Sequence, residues 1–224
     1  MTDRPARLFD EARARADICD AMRELETLGL NRGTSGNVSV RSCQGMLITP
    51  SGVPVPRLTP ESIVALDAGG AVLDPAARPS SEWRFHQEVY LARTDIGAVV
   101  HVHSAHATAL SCQNRPIPAF HYMVAVAGGD DIPCTRYATF GSAELATEIA
   151  LAIRDRQACL IANHGMLAIA KTLSRAVALA VEVETLAEQY QLACIAGQPR
   201  LLSSREMALV LKKFKTYGER DDAE

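Results

Sequence analysis

Two periodicities alternate along this chain, one near 3.6 residues and one of two. Between Arg7 and Leu28 the apolar positions Leu8, Ile18, Met22, Leu25 and Leu28 recur on one face. That spacing predicts an amphipathic helix with Gly29 as its stop. A loop of Gly, Ser and Asn (33–37) leads to two short strand candidates, 38–41 and 46–49, and Pro50-Ser51-Gly52 marks a turn. Thr59-Pro60-Glu61 has the form of a helix start. Residues 63–67 and 71–73 flank Ala68-Gly69-Gly70 as a hairpin. A helix over 81–93, capped by serines, precedes a buried strand over 98–103 and a short helix over 105–112. Then come a helix over 142–155, strands over 159–163 and 166–170 separated by a break at His164-Gly165, and a long helix over 173–196. Ser203-Ser204-Arg205-Glu206 is a capping box that opens a last helix toward Tyr217.

Strictly alternating strand–helix–strand units are absent, and the early strands are hairpin-connected. The pattern predicts an α/β chain of the α+β type: a mainly antiparallel central sheet flanked by helices, in one domain spanning 1–224. A length of 224 residues with 48% hydrophobic and 22% charged positions agrees with one large core. A net charge of −3 gives no electrostatic footprint for nucleic acid. No apolar run approaches the ~20 residues of a membrane span, and the charged N-terminus lacks a signal-peptide core. Six scattered cysteines without a C-x-x-C pair predict buried free thiols. The expected location is cytoplasmic, with no membrane or nucleic-acid partner.

Chemistry concentrates at the ends of two apolar runs. His101-Val102-His103 ends Ala98-Val99-Val100, and His164-Gly165 ends Cys159-Leu160-Ile161-Ala162. Alternation on a strand points His101 and His103 to the same side. Three imidazoles with one carboxylate, Glu82, form a donor set typical of an open catalytic Zn²⁺ site, and Mn²⁺ or Co²⁺ would also fit it. Gly165 is the residue expected to turn the backbone so that His164 faces inward. His86 lies one turn after Glu82 and reads as a surface or core residue, and His106 and His121 as structural. Thr34-Ser35-Gly36-Asn37, Ser51-Gly52 and Ser80-Ser81 are small-residue turns rich in hydroxyls and free N–H groups. They suit either plain turns and caps or a phosphate cradle.

Read together, GLNRGTSGNVSV (29–40), SSEWRFH (80–86), HVH (101–103), IPAFHYM (117–123), YATFG (137–141) and FKTYG (214–218) resemble the class II sugar-phosphate aldolases over nearly the whole chain. The resemblance implies an antiparallel sheet with helices on both faces and a C4 homotetramer with active sites at subunit interfaces. It implies His101, His103 and His164 as zinc ligands, and Glu82 as the acid/base residue that also coordinates the resting metal. Thr34, Gly36, Asn37, Ser51, Gly52, Ser80 and Ser81 would bind phosphate. Tyr122 would handle the proton on the aldehyde oxygen, with Tyr217, Phe140 and Phe214 near the aldehyde. The implied reaction is reversible cleavage of a ketose 1-phosphate, L-fuculose 1-phosphate or similar, into dihydroxyacetone phosphate and an aldehyde. 5-Deoxyribulose 1-phosphate and its methylthio analogue are alternative substrates. A sugar-phosphate 4-epimerase, a dehydratase and a non-catalytic interaction module are further readings. Asn163, where the family pattern has a second histidine, leaves the sugar open.

Overall fold

The computed structural model describes residues 9–214. Asp10 has extended backbone and its carboxylate accepts from the Arg13 N–H at 3.0 Å. That cap starts the first helix, α1 (Glu11–Thr27), at Glu11; Arg7 and Leu8 of the expected helix lie outside the described residues. Its buried face carries Ile18, Cys19, Met22 and Leu25.

Six strands follow: β1 (Asn37–Arg41), β2 (Gly45–Ile48), β3 (Val64–Asp67), β4 (Ala98–Val102), β5 (Ala158–Ile161) and β6 (Gly165–Ala170). They form one sheet in the order β3-β2-β1-β4-β6-β5, every adjacent pair antiparallel. The remaining helices are α2 (Trp83–Ala92), α3 (Ala105–Ser111), α4 (Ala143–Ala152), α5 (Leu173–Ala196) and α6 (Ser204–Phe214).

Alternation along the strands divides the core in two. Ala98, Val100 and Val102 pack in the layer formed with α1, α3, α5 and α6. Val99, with Leu167 and Ile169 of β6, packs in the layer formed with α2 and α4. Central β4 is buried on both faces, which explains why its sequence is a continuous apolar run rather than an alternating one. Among the described residues no helix is long and apolar enough to cross a membrane.

Several expectations are corrected. Thr59-Pro60-Glu61 opens only a single 3₁₀ turn, Pro60–Ser62, because the chain passes at once into β3. The second arm of the predicted hairpin is a lone bridge, Leu66 to Val72. Its turn forms as expected, with the Asp67 carboxylate accepting from Gly69 and Ala71 N–H. α2 starts at Trp83, not at the serines: Glu82 occupies the N-cap position and no side chain caps it. Of the six cysteines all are free, but only Cys19 and Cys159 are buried. The capping box at Ser203 forms as predicted, with Ser203 and Glu206 bonding reciprocally.

Candidate active site

β4 delivers the first histidine. His101 is fully buried, and its Nδ1 lies 2.8 Å from the Met166 carbonyl oxygen across the β4–β6 ladder. A carbonyl only accepts, so Nδ1 carries the proton and Nε2 turns its lone pair into the site. His103 follows one residue beyond the strand end, and alternation brings its Nε2 to 2.9 Å from that of His101. His164 comes from the tight turn between β5 and β6. The turning residue is Asn163, at φ 55°, and not Gly165 as predicted. Asn tolerates the left-handed region better than most side-chain-bearing residues. Gly165 serves a different purpose: a Cβ there would stand 2.5 Å from the Val102 carbonyl oxygen.

The three rings are arranged as a propeller, each pair of centroids 4.8 Å apart and inclined at 72–76°. Glu82 closes the cluster. Its Oε2 is 3.2 Å from His101 Nε2 and its Oε1 is 3.2 Å from His164 Nε2. One donor atom from each of these four residues falls within 4.8 Å of the others. Burial pushes His103 and His164 down to about 4, and the closeness of the rings to one another acts in the same direction. Both imidazoles are therefore neutral near pH 7, the form that ligates. Burial alone would raise Glu82; the neighbouring His101 and His164, with a hydrogen bond from Asn37, outweigh it and hold the carboxyl well below the usual range. Buried Glu82 Oε1 has no hydrogen-bond partner among the described residues. Three converging imidazoles, an ionised carboxylate and an orphaned buried oxygen fit a divalent cation.

The cluster opens into a cavity of about 360 Å³. Glu82, His103 and His164 line it. Thr34, Gly36, Asn37, Ser51, Gly52, Ser80 and Ser81 line the same cavity, as do Tyr137 and Phe140. All seven residues expected at the phosphate end thus share one cavity with the histidines. Two have prior partners: Ser80 Oγ accepts from the Glu82 N–H at 3.3 Å, and Asn37 Nδ2 donates to Glu82 Oε2 at 2.9 Å. Gly36 has φ 73°, and a Cβ on it would lie 2.4 Å from the Asn31 amide, which itself accepts from the His103 N–H.

The aromatic residues divide. Phe140 lines the metal cavity and is 67% exposed. Arg84, just inside α2, ties that loop down through the Gly141 carbonyl. Tyr122 and Phe214 line a different cavity, of about 540 Å³, that includes none of the four cluster residues. Tyr217 lies outside the described residues. Tyr137 and Asn163 line the metal cavity without having been singled out as site residues. His106 bonds Gln191, and His121 accepts from the Met123 N–H, so both have structural partners. His86 is indeed in the core, but it is wired to the site through Asn37, a contact that only strand register could reveal.

Residues 16–191 match the family model described as the Class II Aldolase and Adducin N-terminal domain. The chain is 53% identical over 205 residues to a 5-methylthioribulose-1-phosphate/5-deoxyribulose-1-phosphate aldolase of Rhodospirillum rubrum, covering 92% of each chain. It is 52% identical over 204 residues to an L-fuculose phosphate aldolase of Escherichia coli O6:H1, covering 91% of this chain and 94% of the relative. A solved L-fuculose 1-phosphate aldolase superposes with a TM-score of 0.89 at 40% identity, covering 94% of this chain and all of the other. Family match, relatives and six-stranded antiparallel fold agree: the chain belongs to the class II aldolases and is a lyase.

Proposed function

We propose that this protein cleaves a ketose 1-phosphate reversibly to dihydroxyacetone phosphate and an aldehyde, in a single catalytic domain. One observation carries the reading: a single cavity is lined both by Glu82, His103 and His164 of the four-donor cluster and by hydroxyl- and glycine-bearing turns. Ser80 and Ser81 stand just before the N-terminus of α2, where the helix dipole favours an anion. A phosphate seated there leaves the reacting carbons of a short sugar beside Glu82.

Zn²⁺ is the metal that the His101, His103, His164 and Glu82 set favours, with Mn²⁺ or Co²⁺ as substitutes. Bound there, it would supply Lewis-acid stabilisation to the negative charge that builds on the ketose half as the C3–C4 bond breaks. The protein's own groups handle protons. When the bond breaks, its electrons stay with the dihydroxyacetone phosphate half, which must then gain a proton at C3. Glu82 Oε2 is occupied by the Asn37 N–H, so Oε1 is the oxygen free to carry that proton. Tyr122, with Tyr217, is assigned the proton of the C4 hydroxyl as it becomes the aldehyde oxygen.

Tyr122 is 51% exposed and lies with Phe214 at a separate cavity. An aromatic group needed at the aldehyde but placed elsewhere on its own chain supports a site completed by a second copy, in a C4 homotetramer. The proposed location is the cytoplasm.

L-Fuculose 1-phosphate is the first substrate proposed. 5-Deoxyribulose 1-phosphate and 5-methylthioribulose 1-phosphate form the second reading, favoured by the 53% identity to an aldolase named for both. All share the phosphate end and differ only at the aldehyde. The test is release of dihydroxyacetone phosphate by zinc-loaded protein from each of the three, compared as kcat/KM. Release from at least one is expected; none from any of them would overturn the proposal.

A further inference from the structure

Behind Glu82 a line of hydrogen bonds crosses the α2-facing core. Asn37 Nδ2 donates to Glu82 Oε2 at 2.9 Å, and Asn37 Oδ1 lies 2.5 Å from His86 Nε2. His86 Nδ1 lies 2.7 Å from Ser39 Oγ, which lies 2.9 Å from Tyr90 Oη. Ser39 and His86 are 0% exposed, Asn37 4% and Tyr90 5%, so no bulk water competes for these partners.

The direction of the line is fixed from its active-site end. An ionised carboxylate only accepts, so Asn37 must present Nδ2 to Glu82 and is left with Oδ1 toward His86. A flipped amide would set two oxygens 2.9 Å apart. His86 must then donate from Nε2 and accept at Nδ1 from the Ser39 hydroxyl, which in turn accepts from Tyr90. Burial pushes His86 down to about 3, so the ring stays neutral and has one proton to place. The ring has little freedom to turn, being stacked on Phe85 with centroids 4.7 Å apart and planes 18° apart. At the far end Arg41 sits over the Tyr90 ring and is itself held by the Ile96, Tyr90 and Arg93 carbonyls.

We propose that His86 is a positioning residue: as the Nε2–H tautomer it locks the Asn37 amide, which pins Glu82 Oε2 as an acceptor and leaves Oε1 to face the reaction. The β1–β4 register makes this possible by placing Asn37 directly opposite His101. Without the His86 donor the buried Asn37 Oδ1 has lost its partner, so the amide is held at one end only and the carboxylate loses its fixed aim. Cooperative chains of this kind strengthen each member. The inference rests on Glu82 being the proton carrier proposed above.

Two substitutions separate positioning from packing. In His86→Gln the side-chain N–H₂ can occupy the place of Nε2 and still donate to Asn37. In His86→Asn the side-chain oxygen can occupy the place of Nδ1 and serve Ser39, but the donor to Asn37 is gone. In the full-length, zinc-loaded protein His86→Asn is expected to lose kcat by ~10–100-fold, the range for outer partners of a metal site, with KM within about threefold. His86→Gln should recover most of that loss even if both variants melt at the same lower temperature. Equal kcat losses in the two variants, or a loss confined to KM, would overturn the proposal. A second readout needs no turnover: ¹⁵N spectra of the histidine rings should show His86 protonated at Nε2 and bare at Nδ1. The opposite tautomer overturns the proposal. A wild-type protein inactive on all three sugar phosphates sinks the aldolase reading instead, and the ring spectrum then decides the proposal.

Discussion

Replacing Gly165 by alanine should damage the metal cluster from behind without touching a ligand. The added Cβ would sit 2.5 Å from the Val102 carbonyl oxygen, 3.1 Å from His103 Cδ2 and 3.4 Å from His101 Cε1. Real Cβ atoms essentially never approach other heavy atoms closer than 3.0 Å, so at least 3.0 − 2.5 = 0.5 Å of backbone movement is required. The moving carbonyl belongs to the peptide between Val102 and His103, so the shift passes directly to a ligand. Overpacking a close-packed interior costs about 1–3 kcal/mol, which for a chain of this size is ~2–12 °C in melting temperature. Misaligned ligands add a second effect, a roughly 10–100-fold loss of metal affinity. Thermal denaturation of the metal-free protein reads the first. Competition against a chromophoric chelator reads the second. A variant that melts within about 1 °C of the parent and binds zinc equally well would refute the argument, because it would mean that the β4–β6 backbone yields freely.

Glu82→Gln should retain zinc through the three histidines yet lose cleavage by ~10²–10⁴-fold, the usual range for a lost acid/base group; near-normal turnover would remove Glu82 from proton transfer. Dialysis against a strong chelator should abolish cleavage, and Zn²⁺, Mn²⁺ or Co²⁺ should each restore part of it; activity that survives complete metal removal contradicts the cluster's assignment. Acid should weaken the metal-free fold through His86. Its folded value is pushed down to about 3 from an ordinary 6.5, so the unfolded chain takes the proton first. Its contribution is therefore whole above pH ~6.5 and falls as pH drops toward 3, by about 2 kcal/mol at pH 5. Urea titrations at pH 7 and pH 5 measure this, with His86→Gln as the comparison; identical losses in both proteins would exclude His86 as the cause.

The sequence made some elements plain because their signals are local. α5 runs from Leu173 to Ala196 as periodicity alone places it, and β4 shows as an apolar run bounded by chemistry. The same-side aim of His101 and His103 follows from two-residue alternation and holds even though the strand ends between them. What escaped depends on long-range register. Nothing local to Asn37 says that it lies opposite His101, so its amide looked like part of a phosphate loop rather than a brace for Glu82. The same register hides His86, which from the helix pattern is one more surface or core residue. The turn at His164 was misattributed for a related reason: glycine is the usual sign of a left-handed residue, but here Asn163 takes that conformation and Gly165 answers to crowding. Ser80 and Ser81 resembled helix caps because hydroxyls before an apolar run usually are; the helix instead begins at Trp83.

The placement of the cluster at the end of β4, the start of β6 and the start of α2 has a consequence for how such an enzyme can diversify. The histidines sit in or beside the ends of strands whose every residue is buried, where changes are felt by the whole core. Phe140 and Tyr137, by contrast, line the same cavity, are 67% and 63% exposed and sit on surface connections. On the proposed function, substitutions there should alter what surrounds the aldehyde while leaving Glu82 and the histidines in place. Two relatives equally similar to this chain at 53% and 52% identity, yet named for different sugar phosphates, are what such a division would produce. Exchanging those two surface positions between aldolases should therefore move substrate preference more readily than any change in the core.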